Sequence, residues 1–265
     1  MTESTTILLD QASITPLCHD PKIYIDILKK TNSTNDAVRK MSSETSPCVC
    51  IAESQTQGRG RFNRPWHSPF AQNIHLSICY PYTGDINSLS GLSLLISLAV
   101  CRAIETCCQL PERLFIKWPN DIICDNKKLG GNLIELQTKS KNLTNLIIGI
   151  GVNVNMLKAA GSEIDQQWTS LIRLSKQYQD RNQLCASIIN HTLDYINHFK
   201  QQGLTAFIKE WQQRDYLFGQ DISITSQQKT EVGKAHGINE QGHLQLLLAD
   251  NNIKTYIAGD TTINK

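Results

Sequence analysis

The chain has 265 residues, 40% of them hydrophobic, and its 26 basic against 24 acidic side chains leave a net charge of +2. A core of that size needs no disulfide or metal staple, and the length allows one large domain or one domain with a small appendage. The charge is too small for bulk nucleic-acid binding, and the composition is that of an ordinary soluble globular protein.

Nine cysteines, an odd number scattered through apolar segments, read as reduced thiols of a cytoplasmic protein. Cys48/Cys50 and Cys107/Cys108 lack the spacing and histidine partners of a zinc site and are assigned to core. The longest apolar run, Leu89 to Val100, is too short to span a bilayer and reads as buried helix, so no membrane association is expected. Nothing near Met1 looks like a signal peptide.

Residues 1–20, with Pro16 and Pro21 bracketing Cys18-His19-Asp20, are expected to form a leader with little structure and no helix-turn-helix. Ile23 to Leu28 reads as a strand. Thr31 to Asp36 supplies turn and N-cap chemistry for a helix over about Ala37 to Met41, where Ser33 and Thr34 either cap the helix or hold a polar ligand head. Cys48 to Ala52 is a short strand, and Gln55 to Pro69 is a long loop in which Gly58, Gly60, Arg59, Arg61 and Arg64 can converge on one anion. Trp66 adds a flat apolar face between Pro65 and Pro69. The plain alternative is a basic, mobile surface hairpin.

Ile74 to Tyr80 alternates as a strand with His75 on its polar face, where it is read as solvated or hydrogen-bonded structure. A helix is expected over about Ser88 to Cys108. Phe115 to Leu136 reads as strand, Pro-broken corner, strand, tight turn and strand, with Asn120 and Asp121 at the corner and Lys128 just past the turn. Leu146 to Asn155 is a buried strand whose Gly149 and Gly151 are either packing glycines or the floor of a ligand tunnel; the rest of a dinucleotide fingerprint is missing, as is a Walker lysine loop. A helix from Asp180 to Gly203 and a second one carrying Phe207 and Trp211 are scaffold. Beyond Gly219, short alternating runs at Ile222, Val232, His243 and Ile253 predict a small all-β appendage of about five strands.

Taken in order and spacing, five segments closely resemble the biotin–protein ligases. These are Ser33-Thr34-Asn35, Gly58-Arg59-Gly60-Arg61-x-x-Arg64-x-Trp66-x-Ser68-Pro69, Lys117-Trp118-Pro119-Asn120-Asp121, Lys128-Leu129-x-Gly131 and Gly149-x-Gly151-x-Asn153. The resemblance runs from about Ile23 to about Ile257. It implies an α+β fold, a mixed sheet with packed helices of the class II synthetase and biotin/lipoate ligase type, over residues 21–218, and an SH3-like barrel over 219–265. It also implies biotin, ATP and Mg²⁺ as reactants, with the metal carried largely by the ATP phosphates. The product biotinyl-5′-AMP would then pass biotin to a lysine of a biotin carboxyl carrier protein.

The resemblance assigns roles residue by residue. Ser33, Thr34, Gln55, Gly58 and Arg59 should hold biotin, with Gly131, Gly149 and Gly151 lining its slot. Arg61 and Arg64 should clamp phosphate, Trp66 should cover adenine, and Asn120, Asp121 and Asn153 should lie beside the nucleotide. Lys128 should bridge carboxylate and α-phosphate, so the catalytic set is Lys128, Arg61, Arg64 and Asp121. Three positions depart from the family pattern: Phe62, Asn63 in place of a glycine, and Asn132 where an apolar residue is usual in the slot wall. The DNA-binding domain of bifunctional members has no counterpart in the sequence, so neither DNA binding nor a repressor role is expected; a homodimer is left open. A lipoate ligase would not carry this arginine loop, and an octanoyl transferase would need a cysteine nucleophile. A non-catalytic biotin sensor would lose the phosphate-facing cations, and they are present.

Overall fold

Seven runs of β-branched and apolar residues pair into one sheet: β1 (Tyr24–Leu28), β2 (Cys48–Ala52), β3 (Ile74–Tyr82), β4 (Phe115–Lys117), β5 (Asp121–Cys124), β6 (Lys127–Ser140) and β7 (Leu143–Val152). The computed structural model describes residues 7–41, 43–158, 164 and 166–264. Strand order is β1-β2-β3-β7-β6-β5-β4, with β1 and β2 parallel and the other neighbours antiparallel, so the sheet is mixed as expected.

Side-chain alternation gives this sheet two different faces. Ile74, Leu76 and Ile78 of β3 and Ile148, Ile150 and Val152 of β7 join the main core. The helices are α1 (Gln11–Ile14), α2 (Thr34–Lys40), α3 (Leu92–Cys107), α4 (Leu171–Ser175), α5 (Arg181–Gln202) and α6 (Ile208–Gln212). α3 is the centre of the core layer: Leu95, Ile96, Leu98 and Ile104 are fully buried, and truncating one of them to alanine costs about 2–5 kcal/mol. α5 begins where Asp180 accepts the backbone N–H groups of Asn182 and Gln183, and it ends at Gly203. Residues of the opposite parity, among them Ser77, Cys79, Gly149 and Gly151, face α2 and the Gly-Arg loop. That second face is where the site forms.

Several expectations are corrected. α2 starts at Thr34 rather than Ala37, because Ser33 is extended at the N-cap and a polar first turn carries no apolar period. α3 starts at Leu92, since Asp85 caps a separate 3₁₀ turn over Ile86–Leu89. The described part of the leader is ordered: α1 and a 3₁₀ turn precede β1, Ile14 is fully buried, and Asn182, Asn190 and Arg181 of α5 bond its backbone. His75 is only 1% exposed and has no hydrogen-bond partner among the described residues, so it lies on a covered face away from bulk solvent.

The C-terminal segment folds as the expected antiparallel, SH3-like five-stranded sheet, β8 (Asp221–Ser226), β9 (Lys229–Ile238), β10 (Leu244–Leu247), β11 (Ile253–Tyr256) and β12 (Asp260–Ile263), in the order β11-β10-β9-β8-β12. It docks on the β4–β5 corner, where the indole of Trp118 donates to Gly242 O and Thr261 Oγ1 donates to Trp118 O. Among the described residues no helix is long and apolar enough to cross a membrane.

Candidate active site

Four elements meet at one end of the site face. β1 runs out into Thr31, which pairs with Gln55 beyond β2, and this brings Gln55 against the start of α2. The Thr34 backbone N–H donates to Gln55 Oε1 over 2.8 Å and its hydroxyl to the same oxygen over 3.1 Å. From the sheet below, Ser77 Oγ lies 2.7 Å from both Thr34 Oγ1 and Asn35 Oδ1. Gly149 makes room for this arrangement, since a Cβ there would come within 2.4 Å of Asn35 Oδ1. Ser33, though buried, makes no side-chain cap bond. Polar groups of the expected head-binding set are thus gathered and held by Ser77, which sequence reasoning did not single out.

Arg59 is held by two carboxylates at the same end. Its two Nη atoms donate to the Asp36 carboxylate at 2.9 and 2.7 Å, and Nη2 also reaches Glu135 Oε1 at 3.2 Å. Glu135 in turn accepts from Asn35 and Arg39. The bonds from Arg59 hold the Asp36 carboxyl below its usual range. With two carboxylates on it, Arg59 ties the foot of the loop to α2 and β6 instead of presenting a free cation. Asp36 and Glu135 are further residues the sequence reading missed; their charge had no partner until the fold supplied one.

Beyond this foot the loop narrows. A Cβ on Gly58 would approach Gln55 Nε2, Trp66 O and Ser68 Oγ to 2.9–3.1 Å, so glycine is required for close approach. Gly60, in contrast, has an extended backbone and open surroundings. Asn63 has φ 56, the left-handed conformation its side chain tolerates, and Phe62 shares it at φ 55. The Phe62 ring is exposed and flanked by the guanidinium groups of Arg61 and Arg64, 5.0 and 5.7 Å from its centroid. Both arginines reach the C-terminal sheet: Arg61 donates to Gly259 O and Arg64 pairs with Asp260. Burial moves the Arg61 pKa down.

The third group lies across the middle of the sheet. Trp66 rests on Gly151, where an added Cβ would meet indole carbons at 2.6 Å. Lys128 Nζ lies 5.6 Å from the Trp66 ring centroid and 2.8 Å from Asp121 Oδ1. Gly131, directly opposite Asp121 and Gly151, leaves space for that carboxylate. Asn120 and Asn153 brace the backbone around the face: Asn120 Nδ2 holds the corner to Asn132 O, and Asn153 Nδ2 holds Thr169 O. Asn132 points away from the site, bonding Ser93 and Ser97 of α3, so its polarity does not affect the slot wall.

Two more groups had no role in the sequence reading: Trp168, which it did not single out, and Lys117, which it named only within the Lys117–Asp121 motif. Trp168 is brought beside Lys128 by a parallel bridge and carries Arg173 over its ring. Lys117, half-buried near Asp121 and Asp260, has its pKa moved down by burial. The face therefore concentrates cations with partly exchangeable carboxylate partners, an apolar plate and a polar anchoring end. Such a set can bring two anions together and stabilise charge that builds between them. Cys124 is not a nucleophile, because it is fully buried and burial pushes its thiol up to about 11.

The chain is similar to known proteins over most of its length. The pattern of the Biotin/lipoate A/B protein ligase family matches residues 24–153. The bifunctional ligase/repressor BirA of Escherichia coli is 31% identical over 240 residues, which cover 90% of this chain and 74% of that protein. The biotin–[acetyl-CoA-carboxylase] ligase of Mycobacterium tuberculosis is 29% identical, covering 84% and 82%. The biotin protein ligase from Aquifex aeolicus, solved in complex with biotin and ATP, superposes with a TM-score of 0.79 at 26% identity, over 91% of this chain and 99% of that one. Fold and sequence relationship together establish that the chain belongs to the biotin protein ligase family and is a ligase.

Proposed function

We propose that this ligase joins biotin and ATP to give biotinyl-5′-AMP and pyrophosphate, and then transfers the biotinyl group to a lysine of a biotin carboxyl carrier protein. The single observation that carries the reading is the Lys128–Asp121 ion pair beneath Trp66, set on the same face as the Thr34–Gln55 anchor. The biotin head occupies the end built from Ser33, Thr34, Gln55 and Gly58, over Gly149 and Gly151. Its carboxylate then extends towards Lys128, with Gly131 beneath. Arg59 supports this end from behind, held by Asp36 and Glu135.

In the first step a carboxylate oxygen attacks the α-phosphorus and pyrophosphate leaves. Both reactants are anions, so the barrier is largely electrostatic, and Lys128 between the two oxygens lowers it. Arg61 and Arg64 exchange their contacts with Gly259 and Asp260 for phosphate oxygens, Trp66 covers the nucleotide, and Asn120 and Asn153 keep the strands beneath it in place. Asp121 holds Lys128 extended. Mg²⁺ arrives on the ATP phosphates; among the described residues no three His, Cys, Asp or Glu side chains cluster to hold a metal. In the second step the carrier lysine attacks the acyl carbon and AMP leaves.

The division at about residue 219 belongs to this reading, with the catalytic domain before it and the SH3-like domain after it. So do a cytoplasmic location, the absence of a repressor role, and no role for DNA or membrane. The test is mass spectrometry of a purified apo carrier domain incubated with the protein, biotin and Mg-ATP, with lipoate and octanoate in parallel. One biotin mass increment that requires ATP and is lost in Lys128→Ala is the expected result. Modification by lipoate instead, or no modification while biotin still binds, would overturn it.

A further inference from the structure

β3 carries a histidine into the site face. His75 has the parity of Ser77 and Cys79, and its register partners are Ala52 on β2 and Gly151 on β7. Ser77, two residues on, supports Thr34 and Asn35 at the anchoring end. Gly151, directly opposite His75, is the position on which the Trp66 indole rests. Cβ atoms of directly opposed residues lie about 4.5–5.5 Å apart, so the imidazole and the indole are neighbours over one row of the sheet. That row continues through Gly131 to Asp121, which holds Lys128.

The two ends of the face differ in how their polar atoms are satisfied. At the Ser77 row the Ser77 hydroxyl, the Thr34 hydroxyl and the Asn35 amide are bonded to one another or to Gln55 and Glu135. At the His75 row three buried atoms, His75 Nδ1, His75 Nε2 and Trp66 Nε1, have no hydrogen-bond partner among the described residues. Buried polar atoms are ordinarily paired, so two unpaired groups that are neighbours over one glycine point to an outside acceptor. Arg181 and His67 also bear on His75, both disfavouring a charged ring, as burial does. The imidazole therefore faces the slot neutral, with one N–H to give.

We infer that His75 is a positioning residue for the acyl substrate: with the Trp66 indole N–H, its ring N–H takes a carboxylate oxygen of bound biotin and sets that oxygen towards Lys128. The inference rests on the biotin-activating reading above. The carboxylate, not the head group, is the ligand part assigned here, because the row lies beyond the anchoring end and leads to Lys128. No proton is transferred by His75.

The experiment is calorimetric titration of the full chain and of His75→Leu and His75→Gln with biotin, and with its alcohol analogue, which keeps the head and lacks the carboxylate. Loss of one hydrogen bond to a charged acceptor should raise the biotin Kd of His75→Leu about tenfold or more, with partial recovery in His75→Gln. The alcohol should bind wild type and His75→Leu within about twofold. Without ligand, His75→Leu should melt at or above the wild-type temperature, because an unpaired polar group has been replaced by an apolar one. Unchanged biotin affinity in His75→Leu would overturn the inference, as would an equal loss for the alcohol, or a lower unliganded melting temperature that glutamine restores. If wild type itself fails to bind biotin, it is the underlying ligase reading that falls.

Discussion

The foot and the tip of the Gly-Arg loop contain the same residue type in two opposite situations. At the foot, Arg59 has a side chain 24% exposed and is gripped by Asp36 and Glu135, with Arg39 and Asn35 completing the network. At the tip, Arg64 is 66% exposed and meets a single carboxylate, Asp260, from the other sheet. A partly buried, multiply bonded guanidinium contributes to holding the fold, whereas an exposed single ion pair contributes little and exchanges partners readily. One loop thus joins a multiply bonded end, suited to a ligand that must be positioned, to an exposed, singly paired end, suited to anions that come and go.

The largest effect should come where neither description applies. Lys128 is 17% exposed and paired, yet its charge is central to the reaction. Lys128→Ala should slow adenylate formation about 10²–10³-fold, measured by pyrophosphate release, with melting temperature little changed. Next, the comparison itself can be broken by a pair of variants. Arg64→Ala should raise the KM for ATP about tenfold and alter stability by less than about 0.5 kcal/mol. Glu135→Ala should do the reverse, costing about 1–3 kcal/mol in denaturant unfolding because it leaves Asn35 and Arg39 without their hydrogen-bond acceptor and Arg59 with Asp36 alone, and weakening biotin more than ATP. Equal stability losses in the two variants would erase the distinction between foot and tip.

Much of this was legible in the sequence, and the limits are instructive. Period-2 runs located the large strands, and glycines between arginines located the loop, because both depend on local geometry. The partners of Arg59 were not legible: Asp36 lies 23 positions away and Glu135 lies 76 positions away, and only the sheet order brings them together. Asp260 is farther still, on a strand too short and polar to be noticed. Asn132 was placed in the slot wall by family pattern, but its register opposite Ile150 sends it to α3. His75 was given to the polar face, correctly as to parity, but that face is covered by α2 and the loop, so it is not the solvated one.

His75 sharpens the description of the ligand-positioning end through pH. Burial, with Arg181 and His67 adding to it, lowers its pKa to about 3, while the unfolded chain titrates near 6.5. Between those values the unfolded state binds a proton that the folded state refuses, so folding stability falls as pH falls. The full contribution is present above pH 6.5 and is lost progressively below it. Going from pH 6.5 to pH 5, the wild type should lose about 2 kcal/mol relative to His75→Leu in urea unfolding. Parallel pH profiles for the two proteins would mean that the ring is solvated or paired after all.

The smallest effect belongs to the latch at the tip. Asp260 and the phosphates of ATP compete for Arg64, so ATP binding includes the cost of releasing that carboxylate. Asp260→Asn removes the charge and keeps the shape. An exposed ion pair is worth about 0.2–1 kcal/mol, so the KM for ATP should fall about 1.5–5-fold, and by less at high salt, where screening already weakens the pair. Biotin affinity should not move, because the ligand-positioning end makes no contact with Asp260. A rise in the ATP KM would reverse the role: Asp260 would then be holding Arg64 ready for phosphate, and the tip would be as preorganised as the foot.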